Sequence, residues 1–184
     1  MFGGVKGNSK TSGVDSYVDL DDCKASLNQK HHVKSILELA QIEEMATGFV
    51  TTTRVTHATP AALYAHCPNR NWECEAKISE KDKTMGCIDI ARQLIENSPG
   101  KDINVIMGGG RQCLQSNVTG TDGDPIDDWA CKSSDGRDLI SDWKRDKNAR
   151  DLTNAVVQNK KQLDEVDLDE TDYLLGDINR DFYK

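Results

Sequence analysis

A hydroxyl, an imidazole and a guanidinium lie close together in the stretch Val50-Thr51-Thr52-Thr53-Arg54-Val55-Thr56-His57-Ala58-Thr59-Pro60-Ala61, which continues through Tyr64-Ala65-His66 to Asn69-Arg70-Asn71-Trp72. The hydroxyl of Thr59 is a hard oxygen of the kind Mg²⁺ prefers, an ion that keeps several waters when bound. Arg70 carries a planar fork that can donate two parallel hydrogen bonds to two phosphate oxygens. His57 adds an imidazole just before Thr59. Cys67 and Cys74 bracket Arg70, and a bridge between them would close a small loop, lowering the entropy lost in holding Arg70 toward a ligand. Each residue also has a plain structural use: His57 as a hydrogen-bonded loop residue, Arg70 as a bridge between loops, Thr59 as a helix cap ahead of Pro60. Thr51, Thr52 and Thr53 read as β-propensity with side chains alternating across a sheet. Spacing alone does not choose between the two sets of uses.

Other catalytic patterns are absent. The four histidines, His31, His32, His57 and His66, form no HExxH and no carboxylate–histidine cluster at zinc-ligand spacing. No GxSxG nucleophile elbow occurs. Gly108-Gly109-Gly110 lacks the GxxxxGK[ST] pattern of a phosphate loop and reads as a tight turn at a strand end. From its own residues the chain does not hold a complete active site.

Elements must position these residues. Val33, Ile36, Leu37, Leu39, Ala40 and Ile42 recur near helical period between His32 and Met45. Gly48 suits the end of that helix, and Phe49 to Val55 reads as a β-branched strand. His57 to Pro60 is a turn opening the short apolar segment Ala61 to Ala65. A second helix spans Cys87 to Ile95, stopped by Asn97-Ser98-Pro99-Gly100, and a strand follows over Ile103 to Met107. Gly110 to Arg137 is loop-like. Helices are expected over Asp138 to Lys144 and around Gln158 to Val166, with a last short strand at Tyr173-Leu174-Leu175. Helix alternating with strand predicts an α/β fold around a mainly parallel sheet. Working groups in such sheets gather beyond the carboxyl ends of the strands, which directs attention to His57 and Thr59.

Composition bounds the function. The 184 residues suit one domain and are 36% apolar and 5% aromatic. A net charge of -8 disfavours nucleic-acid binding. The run Lys144, Arg145, Lys147, Arg150 is interleaved with Asp142, Asp146 and Asp151 and reads as a solvated helix face. No apolar stretch approaches the roughly 20 residues of a membrane span, and Met1 to Gly7 does not read as a signal peptide. Six cysteines, Cys23, Cys67, Cys74, Cys87, Cys113 and Cys131, show no CxxC pairs and favour an oxidised framework. Asn117-Val118-Thr119 is a glycosylation acceptor. Together they point to a secreted protein.

The block from Thr51 to Trp72 closely resembles the central segment of animal alkaline phosphatases. The resemblance extends to Gly4-Val5-Lys6-Gly7-Asn8 with Gly13-Val14-Asp15, to Gly86 to Ala91, to Asp102 to Arg111 and to Asp135-Gly136-Arg137-Asp138-Leu139, and becomes loose after Arg150. It implies a three-layer α/β/α fold, with residues 1–184 forming an interior part of a single phosphatase domain. It implies a hydrolase of phosphate monoesters that works through a phosphoserine intermediate with two zinc ions and one magnesium ion. Arg70 is then the phosphate clamp, Thr59 a magnesium ligand, and His57 the histidine beside that magnesium. The nucleophilic Asp-Ser segment is expected before Gly4 and the zinc ligands after the chain's end, so Met1 reads as an interior methionine or the start of a truncated gene model, and the chain alone is expected to be inactive. Cys23 and Cys87 match the family's long-range disulfide; Cys67–Cys74 and Cys113–Cys131 are then the expected pairs by proximity, out of about 15 connectivities. The acid-rich stretch Asp164 to Lys184 departs from the family. The resemblance further implies an exported, cell-surface homodimer, lipid-anchored through a tail not in this chain. Two rivals fit parts of the sequence. One is a secreted binding module that kept the fold and lost catalysis, marked by two-state melting of the chain alone. The other is a metal-dependent phosphodiesterase or sulfatase, against which Asn69-Arg70-Asn71-Trp72 speaks.

Overall fold

A computed structural model describes residues 2–120 and 128–177; Met1, residues 121–127 and residues 178–184 lie outside them. Strands β1 (Gly48–Arg54), β2 (Val105–Gly109), β3 (Asn154–Val157) and β4 (Tyr173–Asp177) form one sheet in the order β1-β2-β4-β3, every pairing parallel. Helices α1 (Cys23–Ser26) and α2 (Ile36–Ile42) precede β1; parallel neighbours require crossovers, which run through helices α3 (Ala58–Ala61), α4 (Glu80–Thr84), α5 (Ile90–Glu96), α6 (Arg111–Leu114), α7 (Leu139–Ala149) and α8 (Lys160–Asp164).

Strand alternation places helices on both faces. Ile106 and Leu175 point into the main core, with Ile90 and Leu94 of α5 and Leu139, Ile140 and Trp143 of α7. Met107, Val157 and Leu174, one register step away, form the core of the opposite face with Leu163 of α8 and Val166. The layering is the one the period of two demands: neighbours along a strand serve different cores. The fold is therefore α/β with helix layers on either side of a parallel sheet.

Caps decide the helix boundaries. Ser35 accepts a hydrogen bond from Glu38 N, so α2 begins at Ile36 and the residues before it form a tighter turn at Gln29–His31. Asp89 accepts from Arg92 N and starts α5 at Ile90, later than periodicity alone predicts. Several short elements are not visible in the periodicity: the four-residue strand β3, too short to show alternation, α6 inside the expected loop, and the short helices α1 and α4. Ile36, Leu39 and Ile42 share the outward face of α2, and only Leu37 is buried.

The basic run is not wholly a solvated face. Lys144, Arg145 and Arg150 are exposed, but Lys147, one turn after Trp143, is fully buried. Its ammonium donates to the carbonyl of Lys101 and to Asp146 Oδ2, and lies 5.5 Å from the Trp143 ring centroid and 4.6 Å from that of Tyr173. Helical spacing puts residue 147 on the buried stripe that Leu139, Ile140 and Trp143 define, so its charge is met by a carbonyl, a carboxylate and two ring faces.

The disulfides correct the expected pairing. Cys23 bonds Cys87, but Cys74 bonds Cys131, and Cys67 and Cys113 are free and buried. Tertiary contact rather than nearness in sequence decides it: Glu75 Oε1 accepts hydrogen bonds from Ser134 N and Asp135 N, drawing the loop after Cys131 against the segment after Cys74. The Cys67 thiol instead donates to Asn69 O, and that of Cys113 to Cys131 O. Burial pushes both thiols up to about 12, leaving them protonated and unreactive near neutrality.

Candidate functional site

The end of β1 aims the site. Its register against β2 shifts between Val50 and Arg54, where Thr51 Oγ1 accepts a hydrogen bond from Thr53 N and lies 2.9 Å from Thr53 Oγ1. The threonines thus make a local bulge that re-aims the chain after it. Gly108 permits this: a Cβ there would sit 2.7 Å from Thr51 Cγ2 and 2.9 Å from Val55 Cγ1. Two of the three glycines therefore belong to β2, and Gly110, at φ +96°, begins the turn into α6. Beyond the bulge Val55 N donates to Gly109 O, Tyr64 Oη donates to Val55 O, and His57 stands at the start of α3 without capping it. Pro60 fits that first turn because no intrahelical donor is required there.

Arg70 meets His57 across this end of the sheet. Arg70 Nη2 lies 3.2 Å from His57 Nε2. A guanidinium only donates, so Nε2 accepts and the neutral imidazole carries its proton on Nδ1. That Nδ1 is buried and finds no partner among the described residues. Burial first, and then the charges of Arg54 and Arg70, hold the His57 pKa below its usual value. Thr59 is exposed on the first turn of α3, two positions on. The structure therefore brings His57 and Arg70 into contact and leaves Thr59 beside them.

The segment carrying Arg70 is tied down residue by residue. Arg70 N donates to Lys10 O, Asn69 Nδ2 to Asp21 Oδ1, and Trp72 N to Asn69 O. Ile90 N donates to Trp72 O, linking the segment to α5. Glu73 accepts from Arg54 Nε and Nη2 at 2.8 Å each and from Thr56 Oγ1 at 2.7 Å. Cys74 is in its disulfide with Cys131. Beyond it Arg137 donates to both oxygens of Asp89 at 2.9 Å and to Asp135, with Glu75 Oε2 3.1 Å away. The hydrogen bonds of Arg137 hold Asp135 down to about 2. The small Cys67–Cys74 loop expected around Arg70 does not form; the segment is held from further away instead. Sequence reasoning passed over Arg54, Thr56, Glu73 and the Arg137 cluster. The available signal was acidic residues at Glu73 and Glu75 alternating with Trp72 and Cys74, all of which are buried.

The donor set bears on metals. Thr59 supplies one hard oxygen, and the orphaned Nδ1–H of His57 suits a water or anion held nearby, so the pair fits the edge of a magnesium site. Among the described residues no group of three or more His, Cys, Asp or Glu could hold a metal ion, so no zinc ligand set is present there. A cavity of about 750 Å³ lined by His32, His66 and Gln93 includes none of His57, Thr59 or Arg70. Asn117 is exposed, at φ +60°. Among the described residues no helix is long and apolar enough to cross a membrane.

Comparison with known proteins follows the same line. Residues 1–180 match the family model described as alkaline phosphatase. The chain is similar to the membrane-bound alkaline phosphatase of Bombyx mori, 38% identical over 178 residues that cover 94% of this chain and 31% of that protein. It is 42% identical over 176 residues to the alkaline phosphatase of Gadus morhua, covering 94% of this chain and 35% of the relative. The chain thus spans about a third of the length of these curated relatives. The alkaline phosphatase of the Antarctic bacterium TAB5 superposes with a TM-score of 0.56 at 22% identity, covering 97% of this chain and 37% of that one. A mutant of that enzyme with Mg bound in its M3 site gives 0.52 at 22% identity, covering 96% of this chain and 36% of that one. At such identities the structural likeness speaks to the fold.

Proposed function

The chain belongs to the alkaline phosphatase family, and from that premise we propose that the full-length protein hydrolyses phosphate monoesters, with residues 1–184 forming an interior part of a single phosphatase domain. One observation carries the reading to this chain's own residues: Arg70 and His57 meet at the carboxyl end of β1. Arg70 donates its remaining N–H groups to two oxygens of the substrate phosphate and holds that group in register for attack. The neutral His57 accepts from Arg70 at Nε2 and keeps a donor at Nδ1 for a water in the site. Thr59 offers its hydroxyl to a magnesium ion, which when bound supplies positive charge beside the phosphate and orders the waters around it. The described residues include no zinc ligand set.

The remaining features follow the family in the same proposal. The nucleophile is a serine outside this chain that becomes phosphorylated, and two zinc ions are held by residues outside it. The mature protein is exported, forms its two disulfides in an oxidising compartment, carries sugar at Asn117, and stands at the cell surface as a lipid-anchored homodimer. Two disulfides and an exposed Asn117 support the extracellular reading.

Inorganic phosphate competes for the same clamp, so inhibition reports on Arg70 directly. In the full-length protein Arg70→Ala is expected to raise the inhibition constant for phosphate roughly 30-fold, the equivalent of about 2 kcal/mol for a charge-assisted contact. Unchanged inhibition in a folded variant would remove Arg70 from the site.

A further inference from the structure

Glu73 joins the two chain segments that bear His57 and Arg70. Its Oε2 accepts from both Arg54 Nε, at 2.8 Å, and Thr56 Oγ1, at 2.7 Å, while its Oε1 accepts from Arg54 Nη2 at 2.8 Å. Two oxygens against two guanidinium nitrogens make the bidentate pairing that fixes orientation as well as distance. The donors come from alternate residues at the end of β1, immediately before His57; the acceptor lies three residues after Arg70. The carboxylate is 9% exposed and the Arg54 side chain 20%, so little water is available to replace either partner. The Gly110 backbone also passes close to the Arg54 stem, where a Cβ on residue 110 would sit 2.8 Å from Arg54 Cβ.

We infer that Glu73 is a positioning residue for the phosphate clamp: by gripping Arg54 and Thr56 it sets the separation between the His57 segment and the Arg70 segment at which the Arg70 guanidinium faces a bound phosphate. The inference rests on the reading of Arg70 as that clamp. Glu73 touches neither substrate nor reacting atoms and works through Arg70. Replacing its charge removes the bidentate grip on Arg54 and weakens the bond to Thr56, and so loosens the tie between the His57 segment and the Arg70 segment. The disulfide at Cys74 still ties the next residue to Cys131, so the segment is loosened rather than freed.

The test is a double-mutant cycle in the full-length protein, read as inhibition by inorganic phosphate and as KM against kcat for a phosphate monoester. Glu73→Gln is expected to raise the phosphate inhibition constant and KM about tenfold. In an Arg70→Ala background the same change is expected to have no further effect on phosphate inhibition, because residues acting as a unit do not add. Should Glu73→Gln not fold, the pair Arg54→Gln with Glu73→Gln removes both charges together and keeps the cycle readable. A folded Glu73→Gln protein with lowered melting temperature and unchanged phosphate inhibition would make Glu73 a purely structural residue and overturn the inference, as would an undiminished effect in the Arg70→Ala background. A wild-type protein that neither hydrolyses phosphate monoesters nor responds to phosphate would overturn the clamp reading itself.

Discussion

His66 shows how far one buried side chain departs from its solution chemistry. Its Nδ1 donates to Gly13 O, and its ring stacks on His32 with centroids 4.0 Å apart. Burial, opposed by the Gly13 bond and aided by the neighbouring His32, brings it down to about 4 from its usual 6.5. Between those values the unfolded chain binds the proton and the folded chain does not, so stability rises with pH across that window. The contribution is complete above about pH 6.5 and is lost as pH falls toward 4; its ceiling is about 3 kcal/mol. His66→Asn keeps a donor near the Nδ1 position and does not titrate. Urea midpoints of the full-length protein at pH 7.5 and 4.5 should differ less in that variant than in wild type. Equal differences would place the acid sensitivity elsewhere. Like His57, His66 was visible in the sequence as an imidazole; its partners were not, because Gly13 and His32 reach it only through the fold.

At the scale of elements, α7 illustrates what charge patterning leaves out. Asp138 caps the helix by accepting from Ser141 N, a start that the sequence reading located correctly. The interleaved charges that follow suggest water on every side, yet Lys147 is enclosed by Trp143, Tyr173, Asp146 and the Lys101 carbonyl. Lys147→Ala removes a buried stem and its ring contacts, and is expected to destabilise by about 2–4 kcal/mol in urea unfolding. Lys147→Met refills the volume and should lose markedly less, because the burial of the ammonium is itself unfavourable. If the two variants fell equally, charge rather than packing would dominate this helix. The strands tell a similar story. The run from Phe49 to Val55 is legible as β1 because its β-branched residues are contiguous. β3 is not legible, because only its pairing with β4 makes Asn154–Val157 a strand.

Across the whole molecule, the apolar surface is unevenly closed. Ile36, Leu39 and Ile42 on α2, with Met45 and Val50, are 50–67% exposed, and β1 is an edge strand with one side unpaired in the described sheet. An exposed apolar helix face and an open strand edge each favour association. Expressed alone, residues 1–184 should bind an apolar dye strongly and grow in mass with concentration on sizing columns. The full-length protein should show neither behaviour through this face. A monodisperse, dye-silent 184-residue chain would instead fit a self-sufficient module.

The sequence by itself determined the family, through the block from Thr51 to Trp72, and most of the helices and strands, because periodicity and caps are local properties of neighbouring residues. It also singled out His57, Thr59 and Arg70 as candidates, with roles that the family resemblance implies, while the contact between His57 and Arg70 belongs to the fold. Which cysteine finds which, whether Lys147 meets water or aromatic rings, and that Glu73 links Arg54 and Thr56 to the segment of Arg70 were decided by tertiary structure. Each of those depends on two segments distant along the chain arriving at one place, and the free energy of that meeting comes from burial and complementary charge that no single segment carries.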